Sequence, residues 1–231
     1  HEEGFTADEA QGQLRRRVWA RRLGLGRIAR LVVPSHLLKD VAKDQWKVDP
    51  AKVQLVLNGV CTERFRSSET ERAHIRAELG LTTEDLLLGS VGHLRPIKRY
   101  DRLLRSVARV RAGEGGERVH LCLVGAGPEQ ERLEALAVEL GLVDRVHWVG
   151  HQTDLAGWYS AMDLFTLTSD SEQLPVSLLE AMACGLTTAG TDVGDVRSTL
   201  PESTRDQLVP LAHDDVEGEL ARLYAELLGD A

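Results

Sequence analysis

From residue 86 onward the chain alternates short apolar runs with longer segments of helical period. This rhythm restricts it to a parallel α/β sheet. Strands are expected at Leu86–Val91, Val119–Val124, Val146–Val149, Leu164–Leu167, Thr187–Ala189 and Gln207–Val209. Runs such as Leu86-Leu87-Leu88 lack polar–apolar alternation, so both faces of the sheet should be covered. The intervening segments supply the cover. Tyr100, Leu103, Leu104 and Val107 fall on one helical face, as do Leu133, Leu136, Ala137 and Leu140. A closing helix is expected over 214–228.

The first 60 residues follow another pattern. Leu31-Val32-Val33 reads as a short strand, and Ser35 as the N-cap of a helix over 36–46. Pro50 and the Asn58-Gly59 turn mark a crossing between layers. A helix follows, with Ser68 and Glu71 at capping-box spacing and Gly80 as its stop. Residues 1–50 are therefore expected to be the remnant of a preceding domain, and 51–231 a Rossmann-like domain with helices on both faces.

Composition narrows the function. The chain is 42% hydrophobic, enough for a packed core, and no apolar run approaches the roughly 18 residues of a membrane span. Cys61, Cys122 and Cys184 are odd in number and far apart, which argues against a disulfide framework or zinc site and for a reducing cytoplasm. A net charge of -8 disfavours nucleic acid as a partner. The basic stretch Arg15, Arg16, Arg17, Arg21 and Arg22, interleaved with Leu14, Val18, Trp19 and Leu23, is either a solvated helix face or a peripheral contact of the 14–23 helix with the inner face of a membrane.

Candidate chemistry is densest at Ser169-Asp170-Ser171-Glu172-Gln173-Leu174-Pro175. A strand ends near Thr168, a loop carries Glu172, and Pro175 suits the first helical position. Glu180 falls on the second turn among Leu178, Leu179, Ala181 and Met182, where a carboxylate needs a partner. Ribose hydroxyls would serve, and so would a neighbouring backbone loop. The free N–H groups of the helix start favour phosphate. Gly125 and Gly127 give GxG, but Gln130 breaks the GxGxxG of a dinucleotide dehydrogenase. A retaining glycosidase needs its two carboxylates roughly 5–5.5 Å apart, which a loop Glu172 and a mid-helix Glu180 do not favour. His120 and His147 read as edge or surface positions; His36, His74 and His213 read as ordinary helix or loop residues.

Glu172 and Glu180 stand as E-x7-E within SEQLPVSLLEAMACG. With Val56-Leu57-Asn58-Gly59-Val60 and Phe65, Val91-Gly92-His93-Leu94 and Lys98, Val124-Gly125-Ala126-Gly127-Pro128, and Val149-Gly150-His151, this resembles retaining glycosyltransferase family 4, of the two-domain GT-B type. The resemblance implies the C-terminal half, which binds a UDP- or GDP-type nucleotide sugar as substrate without a metal or other cofactor. It implies Glu172 and Lys98 as catalytic: Glu172 on hydroxyls of the donor hexose, Lys98 on the diphosphate. The backbone of Gln173, Leu174 and Pro175 would meet sugar and phosphates, and Glu180 the ribose. Gly92, His93, Gly125, Gly150 and His151 would complete the donor site.

The family transfers a hexose, with retention, to an acceptor hydroxyl, which would be saccharide or lipid-linked. The acceptor-side domain being mostly elsewhere, the isolated chain is expected to be inactive. His93 stands where the family carries an Arg, exchanging a permanent charge for a partial one near pH 7; Arg95 or Arg99 could compensate. Gly185 is not followed by the usual Pro, and Asp195 stands where a second Gly is common. His1 could lie near the reacting sugar. A nucleotide-sugar-binding module without turnover is the alternative.

Overall fold

A computed structural model of the chain describes residues 15–229. The chain starts with a small unit: α1 (Arg15–Leu25), β1 (Leu31–Val33), α2 (His36–Asp44) and β2 (Val53–Leu55). β1 and β2 pair in parallel, so this small sheet draws on strands from both sides of residue 50. Leu38, Val41 and Ala42 of α2 pack with Val33, Trp46 and Val48 into a core of their own. Ser35 caps α2 as expected, its hydroxyl accepting the Leu38 N–H.

α1 buries no residue. Its arginines fall on both sides of the helix, with Arg15, Arg16 and Arg22 flanking the exposed Trp19 and Leu23, and Arg17 and Arg21 opposite. An interfacial helix needs its apolar and charged faces separated, so the membrane contact suggested by the 14–23 segment has no support here. Leu14 and His1 lie outside the described residues. Among those residues, no helix is long and apolar enough to cross a membrane.

α3 (Glu69–Glu78) opens on Ser68, whose hydroxyl accepts the Glu71 N–H, and stops before Gly80. Then follow β3 (Leu86–Val91), α4 (Tyr100–Arg111), β4 (Val119–Val124), α5 (Gln130–Glu139), β5 (Val146–Gly150), α6 (Ala156–Ala161), β6 (Leu164–Leu167), α7 (Val176–Ala183), β7 (Thr187–Asp192), α8 (Val196–Thr199), β8 (Leu208–Pro210) and α9 (Val216–Gly229). Their six strands form one parallel sheet in the order β5-β4-β3-β6-β7-β8.

Successive strand residues feed opposite cores, as the period of two requires. Leu88, Leu121, Leu123 and Leu164 pack under α4, α5 and α9, while Leu87, Val91, Cys122 and Phe165 pack under α3, α6 and α7. That double cover explains the unbroken apolar runs. α3 is fastened electrostatically: Arg72 and Arg76 converge on Asp163, which also accepts the Leu87 N–H at 2.7 Å.

The structure ends α2 at Asp44, carries β5 on to Gly150 and sets α9 at Val216–Gly229, and two further shifts from the sequence reading have a visible cause. β7 runs on to Asp192 because Gly190, Thr191 and Asp192 pair with β8. Thr191 is buried there with its hydroxyl donating to the Ser169 carbonyl at 2.7 Å, a satisfied polar residue that breaks the apolar pattern. β8 starts one residue late because Gln207 closes the preceding turn of 3-10 helix.

His120 is a correction. β4 lies between β3 and β5, so its histidine is no edge position. The ring is buried and stacked on His147, with Nδ1 3.0 Å from His147 Nε2 and Nε2 2.7 Å from an Arg145 nitrogen. Burial, then the Arg145 charge, lowers its pKa to about 4.

Candidate functional site

The chain fills the sheet outward from β3 to β5 on one side, then returns to lay β6, β7 and β8 on the other. Strand order therefore reverses between β3 and β6. In open α/β sheets the crevice beyond the carboxyl ends of such a strand pair is where ligands lodge. Two loops meet there: 92–99, leaving β3, and 168–175, leaving β6.

These loops are stitched together by groups the sequence reading did not link. The Asp170 N–H donates to the Ile97 carbonyl at 2.9 Å, and the Thr168 hydroxyl to the carbonyls of Lys98 and Arg99 at 3.1 Å each. Arg102 donates to the Thr168 carbonyl and to Asp170, both at 2.7 Å. Arg99, at φ 52°, turns its guanidinium onto Asp101 and Asp170. Its pKa is raised, chiefly by the hydrogen bond to Asp101. So Arg99 is tied into the scaffold. Arg95 faces the crevice and is exposed.

At the meeting point Lys98 Nζ lies 2.6 Å from Glu172 Oε1, and the Ser169 hydroxyl donates to the same oxygen at 2.6 Å. The Glu172 side chain is only 10% exposed, so the carboxylate depends on these partners. An ammonium has three donors, and one bond to Glu172 leaves two for another anion.

Pro175 does not enter the helix: it precedes Val176 as the N-cap, with extended backbone. The N-cap Pro175 offers no side-chain cap to the first turn of α7, where the Leu178 N–H donates to the Pro175 carbonyl at 3.2 Å. Glu180 sits on the second turn as expected, and its partner is the buried Tyr159, whose hydroxyl donates to Oε2 at 2.7 Å. Burial raises the Glu180 pKa, with the phenol hydrogen bond acting against it. Burial, then the nearby Glu180 charge, keeps the Tyr159 phenol protonated.

Two cavities open here. One of about 940 Å³ lies between the small unit and the two loops, with His93, Arg95, Lys98, Glu172, Gln173, Leu174 and Pro175 on one wall and Arg21, Leu38 and Trp46 on the other. The second, of about 510 Å³, is lined by Gly92, His93, Gly125 and His151. His93 borders both. The second cavity is shaped by backbone: Gly125, at φ 146°, donates to the Gly150 carbonyl at 2.8 Å, and a Cβ on it would lie 2.0 Å from the Gly92 carbonyl oxygen. The structure thus brings every expected site residue to the two cavities except Gly150, which abuts Gly125 behind the second, and Glu180, which lines neither. Ser169, Asp170 and Tyr159 hold the charged residues in place; the sequence put the first two in its densest segment without a role and did not point to Tyr159. Only the burial of Glu180 in an apolar helix hinted that a donor such as Tyr159 must exist.

Comparison with known proteins gives a consistent family. The family described as "Glycosyl transferases group 1" matches residues 85–230. A D-inositol 3-phosphate glycosyltransferase of Saccharomonospora viridis is 35% identical over 205 residues, covering 84% of this chain and 47% of that protein. A relative of the same description from Catenulispora acidiphila is 35% identical over 193 residues, covering 79% and 44%. The chain therefore spans about half the length of these curated relatives. Among solved structures, HepE of Anabaena in complex with UDP and glucose superposes with a TM-score of 0.79 at 22% identity, covering 92% of this chain and 57% of that one. Sucrose-phosphate synthase of Thermosynechococcus elongatus gives 0.79 at 25% identity, covering 97% and 55%.

Proposed function

The chain belongs to the group 1 glycosyl transferases and has the fold of the C-terminal domain of a GT-B enzyme; from that premise we propose that it holds the donor in a retaining hexosyltransferase. The donor is a UDP- or GDP-type nucleotide sugar. The acceptor hydroxyl belongs to a saccharide or a lipid-linked saccharide, or to a phosphorylated cyclitol such as the one that names the relatives. Residues 1–50 are assigned to the acceptor side and 51–231 to the donor side, with β2 reaching back to pair with β1.

The observation that carries this reading is the Lys98–Glu172 contact at the reversal of strand order. It sets a cation for the diphosphate beside a carboxylate for hexose hydroxyls, at the mouth of a helix whose N-cap offers no side-chain cap. As the bond to the leaving diphosphate lengthens, negative charge grows on the phosphate oxygens. Lys98, His93 and the α7 amides stabilise it without a proton transfer from the protein. The Glu180 carboxylate, held by Tyr159, accepts the ribose hydroxyls, and the glycine-lined cavity takes the base.

Binding without turnover is the second reading. What favours it is that Arg99 is bound to Asp101 and Asp170, so the phosphate side has no fixed guanidinium in place of the missing one.

Calorimetry with UDP, GDP and their hexose forms tests the assignment. Glu180→Gln should weaken free nucleotide and nucleotide sugar alike by about 1.5–3 kcal/mol, the scale of charged hydrogen bonds. Glu172→Gln should weaken the nucleotide sugar and spare the free nucleotide. Equal losses for both ligands in Glu172→Gln would remove it from the hexose.

A further inference from the structure

Asp195 follows β7 at a position where the sequence departs from its family pattern, and it lies in the chain almost 160 residues from the small unit it touches. Its side chain is buried, the residue being 6% exposed. One carboxylate oxygen accepts the His36 N–H at 2.5 Å and the other the Leu37 N–H at 3.0 Å. With Ser35 taking the Leu38 N–H, the first turn of α2 is fully satisfied, and its positive end faces a negative charge from the other unit.

The same residue faces the donor loop with its backbone. The Asp195 N–H donates to the Gln173 carbonyl at 2.9 Å. Its neighbour Gly194, at φ 56°, lies so close to this loop that a Cβ there would be 2.0 Å from the Glu172 carbonyl oxygen. The Ser198 and Thr199 hydroxyls both donate to the Asp195 carbonyl at 2.8 Å, fixing the residue from behind. A second tie runs in parallel, from the Asn58 side-chain amide to the Leu174 carbonyl at 3.0 Å.

We infer that Asp195 is a positioning residue for the sugar-facing loop: its carboxylate anchors the 193–195 turn on α2, and the anchored turn presses residues 172–174 into the shape that presents Glu172 and the following amides. The small unit and the donor loop are thereby coupled, and movement of α2 reaches the Glu172 loop through Asp195, beside the parallel tie from Asn58. The inference concerns loop order and holds whether or not the ligand is the proposed nucleotide sugar.

Amide hydrogen exchange on the unliganded chain tests it, with Ser35→Ala as the control. Ser35→Ala frays the same end of α2 but touches nothing near Gln173. Asp195→Ala should speed exchange about tenfold or more in both 36–40 and 172–177, whereas Ser35→Ala should speed it only in 36–40. Asp195→Asn keeps one acceptor and should fall between parent and Asp195→Ala; it carries the test should the alanine variant not fold. Titration with UDP-glucose adds a functional arm, with affinity for the sugar form falling more than affinity for UDP. Unchanged exchange in 172–177 for both Asp195 variants would reduce the residue to a helix cap. Equal acceleration there by Ser35→Ala would assign the effect to helix stability rather than to Asp195.

Discussion

The two ends of the crevice are built from different materials. Beyond β3 and β6 the walls are charged side chains already engaged with one another: Lys98 with Glu172, and Arg99 and Arg102 with Asp170. Toward β4 and β5 the wall is glycine backbone, with Gly125 in contact with both Gly92 and Gly150. A side-chain lattice can redistribute its hydrogen bonds when an anion arrives, whereas a backbone wall is fixed by the fold and offers only shape. The charged end is thus suited to a group whose charge changes during reaction, and the glycine end to a flat, unreacting moiety. The difference also predicts how each end fails.

The backbone wall should fail hardest. Gly125→Ala combines a backbone conformation that side chains avoid with a Cβ driven onto the Gly92 carbonyl. Strain and overpacking together should cost about 3–4 kcal/mol of stability. Gly150→Ala has a positive φ as well but nothing within 4 Å of the new methyl group, so its cost should be about 1 kcal/mol. Urea unfolding of the two variants measures the gap. Equal costs would mean that the close approach at Gly125 does not hold in solution.

The charged end should fail by uncoupling. Lys98→Ala leaves the Glu172 carboxylate with Ser169 as its remaining partner, a loss of about 2 kcal/mol in stability. Adding Glu172→Gln should recover part of that loss, because an amide does not carry the stranded charge. A double-mutant cycle on unfolding free energies reads this directly. Strict additivity of the two substitutions would show that the pair is not coupled.

This contrast was only half legible in the sequence. The strands were readable because burial on both faces leaves uninterrupted apolar runs, and β3, β4 and β6 fell where expected. The glycine end was readable too, since glycines at strand ends announce close backbone approach. Glu172 and Glu180 could be singled out by their setting and Lys98 by the resemblance, but not their partners. Lys98 and Glu172 stand 74 positions apart, Tyr159 stands 21 before Glu180, and Asp195 reaches across 159 to His36. Such pairs are set by strand order and register, which leave no local mark. Arg99 shows the same limit: Asp101 is local to it, but Asp170 is brought to it only when β6 pairs with β3.

At the amino ends of β4 and β5, opposite the glycine wall, the stacked pair of buried His120 and half-buried His147 should make these strands acid-sensitive. The native His120 takes a proton only near pH 4, whereas an unfolded histidine takes one near pH 6.5. Stability should therefore be full above about pH 6.5 and decline as the pH falls toward 4, by on the order of 1–2 kcal/mol once solvent screening is allowed for. The lowered pKa of His147, again from burial, acts in the same direction. His120→Gln should flatten the decline in urea midpoints between pH 7 and pH 5. A parent protein whose midpoint does not move over that range would contradict the burial of the pair.

The smallest expected effect tests the residue that borders both cavities. His93 is exposed, stands between the charged and glycine ends, and replaces the arginine that its resemblance would place on the diphosphate. An imidazole carries its charge only in part near pH 7, and a neighbouring dianion favours the charged form. Affinity for a nucleotide sugar should then rise modestly from pH 8 to pH 6. The sugar form is the appropriate probe, because its esterified diphosphate takes up no proton in that range. His93→Arg should remove the pH dependence and bind at pH 8 as the parent binds at pH 6, a gain of about 1 kcal/mol, the scale of an ordinary hydrogen bond. His93→Ala should bind weakly and evenly at both. If the parent is flat with pH and His93→Ala matches it, the diphosphate is held by Lys98 and Arg95 alone, and His93 only separates the two cavities.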